Sequence, residues 1–377
     1  MSKKRTLPLL AGILAVLALF LAGCGDSGEK KPAASAGQGQ SQAGGEPASS
    51  DEPRKLNIFI WSEYIDPDVV AEFEKAKNVK VRLDLYESNE EMIAALQTGR
   101  KGAYDLIVPT TYFLPSLISM GLIEPLNHSL LPNMANLDPR FTTIEEDPGN
   151  KYAIPYQWGT SGLIVRSDDP DSIDPSWSLL FEESASQGNF LLFDTARDAL
   201  GSALFYLGYS PNTTDINEIR EAGELLIKIK NRPNFMGFNG GVDGLSKVVS
   251  KVAAIAQVYN GEAVKATFEE QGIYYVTPKE GCEIWLDLFA IPAGAENAAV
   301  AHEFLNFIME PEIAARLADY SMYATPNLKA LDLVKREDRA NPAIYPSDEL
   351  VEGMEFYRDL GEASRLYEET WTIVKSR

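Results

Sequence analysis

The alternation of two periodicities confines this chain to the α/β class. Lys55 to Trp61 places Leu56, Ile58 and Ile60 at every second residue, the period of a strand. Asp66-Pro67 then supplies an N-cap followed by proline at the first helical position. Pro67 to Lys77 carries Val69, Val70 and Phe73 on one side, and Lys80 to Tyr86 reads as the next strand. Ser88-Asn89-Glu90-Glu91 is a capping box; it opens a helix with Met92, Ile93 and Leu96 inward, closed at Gly99. Asp105 to Pro109 reads as a short buried strand. Strand, helix, strand, helix, strand predicts parallel pairing.

The pattern then restarts. Leu163 to Arg166, Phe190 to Asp194, Ala253 to Tyr259 and Ile284 to Ile291 read as strands; Ala196 to Leu207 and Asp215 to Lys230 read as helices. Further helices are expected at Ala298 to Met309, Pro311 to Ala318 and Glu349 to about Lys375. Two α/β lobes with a helical finish enclose a cleft, and small-ligand sites favour such interfaces.

The N-terminus is processing sequence rather than fold. Lys3, Lys4 and Arg5 precede an apolar run from Leu7 to Leu21, then Leu21-Ala22-Gly23-Cys24. That order is a secretory signal peptide, and its ending resembles a bacterial lipobox, which implies cleavage before Cys24 and lipidation of its sulfur. The alternative, a transmembrane anchor, needs about 20 apolar residues. Gly25 to about Pro53 lacks aromatics and β-branched residues, so it cannot bury enough surface to order itself and reads as a tether.

Charge bears on partners. The chain has 34 Lys and Arg against 55 Asp and Glu; loss of Lys3, Lys4 and Arg5 leaves 31 cations and a formal charge of −24. Such a body repels nucleic acid and attracts cations, although solubility alone explains acidity equally well. Cys24 is assigned to the lipid, so Cys282 has no disulfide partner and reads as a packed residue. His128 and His302 have no metal-ligand spacing around them. No nucleophile elbow, P-loop or dinucleotide fingerprint occurs, so neither metal nor cofactor is expected.

Five clusters join aromatics, hydroxyls and carboxylates. Trp61-Ser62-Glu63-Tyr64 ends the first strand, the edge at which open α/β sheets bind ligands. It is a compact cation-binding set, or else an interlobe aromatic pair with Glu63 solvated. Pro109-Thr110-Thr111-Tyr112 ends the third strand; Thr110 or Thr111 also suits an N-cap. In Asp194-Thr195-Ala196-Arg197-Asp198, Asp194 is the N-cap candidate, Asp198 faces the cleft, and Arg197 pairs with a surface acid. Trp285 and Asp287 share one face of a strand while Leu286 packs behind. An aspartate in so apolar a strand is costly without a partner, which makes Asp287 the strongest binding candidate, with a structural ion pair as the alternative. Tyr320 to Asn327 forms a bend that crosses between lobes or a loop held by Pro326 and Asn327.

Together these stretches resemble the extracytoplasmic spermidine/putrescine-binding protein family. Matching segments are Trp61-Ser62-Glu63-Tyr64, Tyr86-Glu87-Ser88-Asn89-Glu90, Gly102 to Pro109, Pro155-Tyr156-Gln157-Trp158-Gly159-Thr160, Ala290-Ile291-Pro292 and Thr325-Pro326-Asn327-Leu328. The resemblance runs in order from about Leu56 to the C-terminus. It implies an α/β, two-lobed type II periplasmic-binding-protein fold with a hinge cleft. Lobe 1 would take residues 55–158 and about 288–325, and lobe 2 about 159–287 and 326–377, after a signal peptide at 1–23 and a lipidated tether at 24–54.

The resemblance also implies roles. Trp61, Tyr64, Tyr112, Trp285 and Tyr323 would box a methylene chain. Glu63, Asp198 and Asp287 would meet amino groups, and Ser62 and Thr110 would add hydrogen bonds. Four positions depart from the spermidine-binding pattern: Thr195 stands for an aspartate, Tyr259 for a tryptophan, Asp198 for a longer glutamate, and Tyr357 near an expected glutamine. A missing carboxylate would leave one fewer ammonium group to be read and admits shorter diamines such as putrescine beside spermidine. The expected function is polyamine capture for the permease subunits of an ABC importer, by a monomer lipid-anchored outside the cytoplasm, with no chemistry performed. The alternatives are a binding protein for another solute, a polyamine sensor, and a surface hydrolase, against which the scarcity of histidine counts.

Overall fold

The computed structural model describes residues 52–99, 101–185, 188–239 and 241–377. The expected signal peptide, Cys24 and the tether up to residue 51 lie outside the described residues. Nine strands form one connected network: β1 (Arg54–Trp61), β2 (Val79–Tyr86), β3 (Leu106–Ile107), β4 (Ala153–Arg166), β5 (Phe190–Phe193), β6 (Phe235–Asn239), β7 (Ile255–Tyr259), β8 (Ile273–Val276) and β9 (Ile284–Ala290). The principal helices are α1 (Pro67–Lys77), α2 (Asn89–Thr98), α3 (Ala196–Leu207), α4 (Ile216–Lys230), α5 (Gly241–Val249), α6 (Asn260–Glu269), α7 (Ala298–Ile308), α8 (Pro311–Ser321) and α9 (Ser364–Ser376).

The order β2-β1-β3-β9-β4-β7-β5-β6 hides a division at β4. Its first half, Ala153 to Thr160, pairs antiparallel with β9, which leads to β3, β1 and β2 in lobe 1. Its second half pairs with β7 and β8, which belong to the sheet of lobe 2 with β5 and β6. The β1–β2 and β1–β3 pairs are parallel, as the alternation of elements requires. One strand thus serves two sheets.

Local chemistry sets the first lobe. Asp66 accepts from Asp68 N at 2.8 Å, Pro67 starts α1, and Asn78 closes it in the left-handed region at φ 49°. Its buried face, Val69, Val70 and Phe73, packs on α7, where Phe73 lies edge-on to Phe304 at 5.0 Å. Burying each such side chain contributes about 1.5–3 kcal/mol. Asp105, wholly buried, accepts from Asn57 N and from Asn297 N, both at 2.8 Å, and so ties β1 to the start of α7.

Several local expectations change. Asp105 to Pro109 contributes only a two-residue strand, because Asp105 is consumed as an acceptor and the chain beyond Ile107 turns toward β9. Leu163 to Arg166 is the end of a strand of 14 residues. The helix expected from Glu349 to about Lys375 is broken: a turn at Asp348–Val351 is followed by an extended stretch, and α9 starts at Ser364. Tertiary pairing overrides helical propensity there, since Glu355 N donates to Cys282 O and Ile284 N to Glu355 O. After the Tyr320 bend, residues 328–334 remain beside α8: Leu328 N donates to Asn136 O, and Ala330 and Val334 pack against α8. Among the described residues no helix is long and apolar enough to cross a membrane.

Candidate ligand cleft

The carboxyl ends of β1 and β3, the middle of β9 and the bend after α8 converge from lobe 1, facing α3, α6 and β7 of lobe 2. At the centre is Asp287, 7% exposed. Thr110 Oγ1 donates to its Oδ1 at 2.7 Å, and Asn89 Nδ2 donates to Thr110 Oγ1 at 3.1 Å. Thr110 therefore serves Asp287 and caps no helix with its side chain; Thr111 instead donates to Leu286 O at 2.6 Å. No cationic side chain among the described residues pairs with Asp287. Burial pushes its carboxyl up to about 7, partly offset by the Thr110 and Tyr64 hydroxyls. The ion-pair alternative fails, and a buried carboxylate without a counter-charge remains.

Aromatic rings wall this carboxyl. Tyr64 is edge-on to Tyr156 at 5.3 Å and to Tyr323 at 5.7 Å; Tyr323 is edge-on to Trp285 at 4.7 Å; Trp285 faces Tyr259 at 6.2 Å. The Trp285 indole N–H is buried with no acceptor. Gly159 permits this packing, since a Cβ there would lie 2.4 Å from Trp285 Cζ2. Tyr323 also closes the cleft from the lobe 1 side, its hydroxyl donating to Glu262 of α6, a carboxyl that burial holds above its usual range.

The four residues ending β1 separate. Trp61 turns to Tyr86, with ring centroids 4.6 Å apart, and its Nε1 donates to Val108 O at 2.9 Å. Tyr64 enters the aromatic wall. Ser62 and Glu63 stay exposed, Glu63 in the left-handed region at φ 52°.

At the far end of the cleft, Thr195 rather than Asp194 caps α3, accepting from Asp198 N at 3.2 Å and donating back to the Asp198 carboxylate. Asp194 is drawn to Lys375 instead. Asp198, 7% exposed, lies against Glu283, 5% exposed, which accepts from Ser161 Oγ at 2.6 Å. Burial raises both carboxyls, and their mutual proximity adds to it for Glu283. Among the described residues Arg197 makes no ion pair. Its guanidinium lies over Tyr357, Tyr367 and Tyr112, at 4.7, 5.1 and 5.7 Å, and donates to Asn212 Oδ1 and Arg358 O. Three flat π faces hold it there more effectively than one solvated carboxylate. Tyr112 meets Tyr357 at 6.0 Å across the cleft.

The structure thus gathers Tyr64, Thr110, Trp285, Asp287, Tyr323 and Tyr259 around one carboxyl and Tyr112, Asp198, Thr195 and Tyr357 around another. Glu262 and Glu283 were missed by the sequence reading. Glu283 carried a signal, since it continues the period-two face of Trp285 and Asp287; Glu262, on a helix, carried none. His302 is structural, accepting from Asn127 N at 2.9 Å, and no metal-binding group occurs among the described residues. A cavity of about 280 Å³ lined by Leu96, Lys101, Tyr104 and Pro292 lies outside the cleft. No carboxylate among the described residues lines it.

A family model for bacterial extracellular solute-binding proteins matches residues 68–346. The spermidine/putrescine-binding periplasmic protein of Escherichia coli (strain K12) is 38% identical over 331 residues, 87% of this chain and 94% of that protein. Two solved structures superpose on this fold. The spermidine/putrescine ABC transporter substrate-binding protein PotD from Streptococcus pneumoniae has a TM-score of 0.75 at 31% identity, covering 86% of this chain and 99% of that one. The Tp0655 (TpPotD) lipoprotein of Treponema pallidum has a TM-score of 0.73 at 27% identity, covering 86% and 100%.

Proposed function

This chain belongs to the bacterial extracellular solute-binding protein family, and from that premise we propose that it captures a polyamine, spermidine and/or putrescine, for an ABC importer. The family is one of binding proteins and not of enzymes. One observation carries the ligand class: Asp287 is buried, held by Thr110, walled by Tyr64, Trp285 and Tyr323, and lacks a cationic partner. A buried carboxylate without a counter-charge is costly. An ammonium group supplies that charge, and the ring faces cover its methylenes at about 0.5–2 kcal/mol per good cation–π contact.

The remaining roles follow from placement. Asp198 receives a second amino group, with Thr195 orienting it. Tyr112, Tyr259 and Tyr357 line the passage between the two carboxyls, while Trp61 supports the wall. Ser62 and Glu63 attract the cation at the mouth. Lobe 1 and lobe 2 close by bending β4 and β9, and ligand favours the closed arrangement because it binds that state better. Permease subunits recognise the closed monomer. Cys24 carries the lipid that keeps the body near the membrane, a reading supported by the lipobox-like ending and by a lipoprotein among the structural relatives.

Calorimetric titration of the purified chain with spermidine, putrescine and a neutral sugar tests the reading. Saturable one-to-one binding of an amine, with no heat from the sugar, is the expected result. A folded, ligand-free protein that ignores both amines would overturn it.

A further inference from the structure

Glu283, Trp285 and Asp287 occupy alternate positions of one extended segment, so their side chains share a face. Four residues of strand set the Cα atoms of Glu283 and Asp287 about 13 Å apart, roughly twice the length of an extended four-carbon diamine. Between them stands Trp285, nine-tenths buried, its indole N–H without an acceptor. Glu283 is itself almost fully buried on the floor of the cleft, fixed by Ser161 Oγ at 2.6 Å. Its backbone is pinned on both sides, Ser161 N donating to Glu283 O and Glu355 N to Cys282 O.

We propose that Glu283 and Asp198 together form a two-carboxylate seat for the far ammonium group of a polyamine whose near ammonium rests on Asp287. The proposal rests on the reading of the cleft as an amine site and adds its selectivity: the seat is matched to a triamine rather than a diamine. Thr195 then needs no carboxylate of its own, because Glu283 brings one from the opposite strand, and Thr195 is free to hold Asp198 in place.

The groups facing this seat are Asp198 and Arg197 from α3, Glu90 and Tyr112 from lobe 1, and Tyr259, Tyr275, Cys282 and Tyr357 around Glu283. Arg197 is the cation among them, and its stacking on three tyrosines leaves it beside the seat rather than in it. Two buried carboxyls this close do not both ionise in the empty cleft, so one keeps its proton. An arriving ammonium replaces that proton, and ligand uptake releases it to solvent.

Calorimetry of the purified chain with spermidine and putrescine, in two buffers of different ionisation enthalpy at pH 7, reads both affinity and proton release. Glu283→Gln is expected to weaken spermidine by about tenfold or more, equivalent to about 1.4 kcal/mol, to affect putrescine several-fold less, and to reduce the protons released. Ser161→Ala, which loosens Glu283 without altering charge, is expected to shift spermidine in the same direction by less, and serves if Glu283→Gln does not fold. Equal weakening of both amines, or an unchanged proton count, would make Glu283 a structural support and overturn the seat. Wild-type affinities in both variants would also overturn it while leaving amine capture standing. Failure of the wild-type protein to bind either amine would remove the seat together with the reading beneath it.

Discussion

Thr110 Oγ1 donates to Asp287 Oδ1 at 2.7 Å, joining residues 177 positions apart. The bond fixes the Asp287 carboxylate within the aromatic wall. Asp287→Asn keeps the shape and removes the charge, so an incoming ammonium is left buried and unpaired. Loss of one partner of such a pair costs about 2–5 kcal/mol, and amine affinity is expected to fall by about a hundredfold or more. The circular-dichroism spectrum is expected to stay unchanged. Wild-type affinity in this variant would remove Asp287 from the site.

Binding is expected to depend on pH through the same residue. Asp287 titrates near 7 in the folded protein, above the unfolded carboxyl range, because burial disfavours its charge. A raised carboxyl pKa stabilises the ligand-free fold only while protonated. That contribution is full below about pH 4 and is lost as pH rises through about 7. Amine binding has the opposite sign, since it needs the carboxylate. Affinity is expected to fall by up to about tenfold per unit below pH 7 for this one group. In the ligand-free protein at pH 8, Asp287→Asn is expected to raise the melting temperature. Affinities that do not change between pH 5 and 8 would contradict the assignment.

Tyr323 joins the lobes through its hydroxyl on Glu262. Tyr323→Phe keeps the aromatic wall and removes this latch, a hydrogen bond to a carboxyl worth about 1–3 kcal/mol. Ligand release, followed by stopped-flow fluorescence of the Trp285 region, is expected to quicken several-fold with little change in association. An unchanged release rate would show that closure does not depend on the latch.

Gly159 lies where β4 passes from one sheet to the other. A Cβ there would come within 2.3 Å of Asn260 Oδ1 and 2.4 Å of Trp285 Cζ2. Asn260 Oδ1 is the acceptor for Thr160 N at 3.0 Å, so it cannot retreat without breaking that bond. Overpacking of this kind costs about 1–3 kcal/mol. Gly159→Ala is expected to lower the melting temperature and weaken amine binding together, as seen by scanning calorimetry and titration. Wild-type behaviour in both would mean that the indole has room to move.

Much of the architecture was written in local chemistry. The Asp66-Pro67 cap, the Ser88 cap and the period-two runs of β1 and β2 depend on neighbours in sequence, and the observed elements follow them closely. Asp287 was legible for the same reason: a carboxylate among Ile, Leu and Phe has no local means of satisfaction. Tertiary structure decided what depends on residues far apart in the chain. It replaced Asp194 with Thr195 as the α3 cap because Lys375 claims Asp194. It moved Arg197 from the surface into a stack of three tyrosines, and it broke the last helix so that Glu355 could pair beside Cys282. It also set Glu283 against Asp198 from the opposite wall. Periodicity and capping act over a few residues and can be read one segment at a time. Burial, charge pairing and stacking act through space, and only the folded chain brings their partners together.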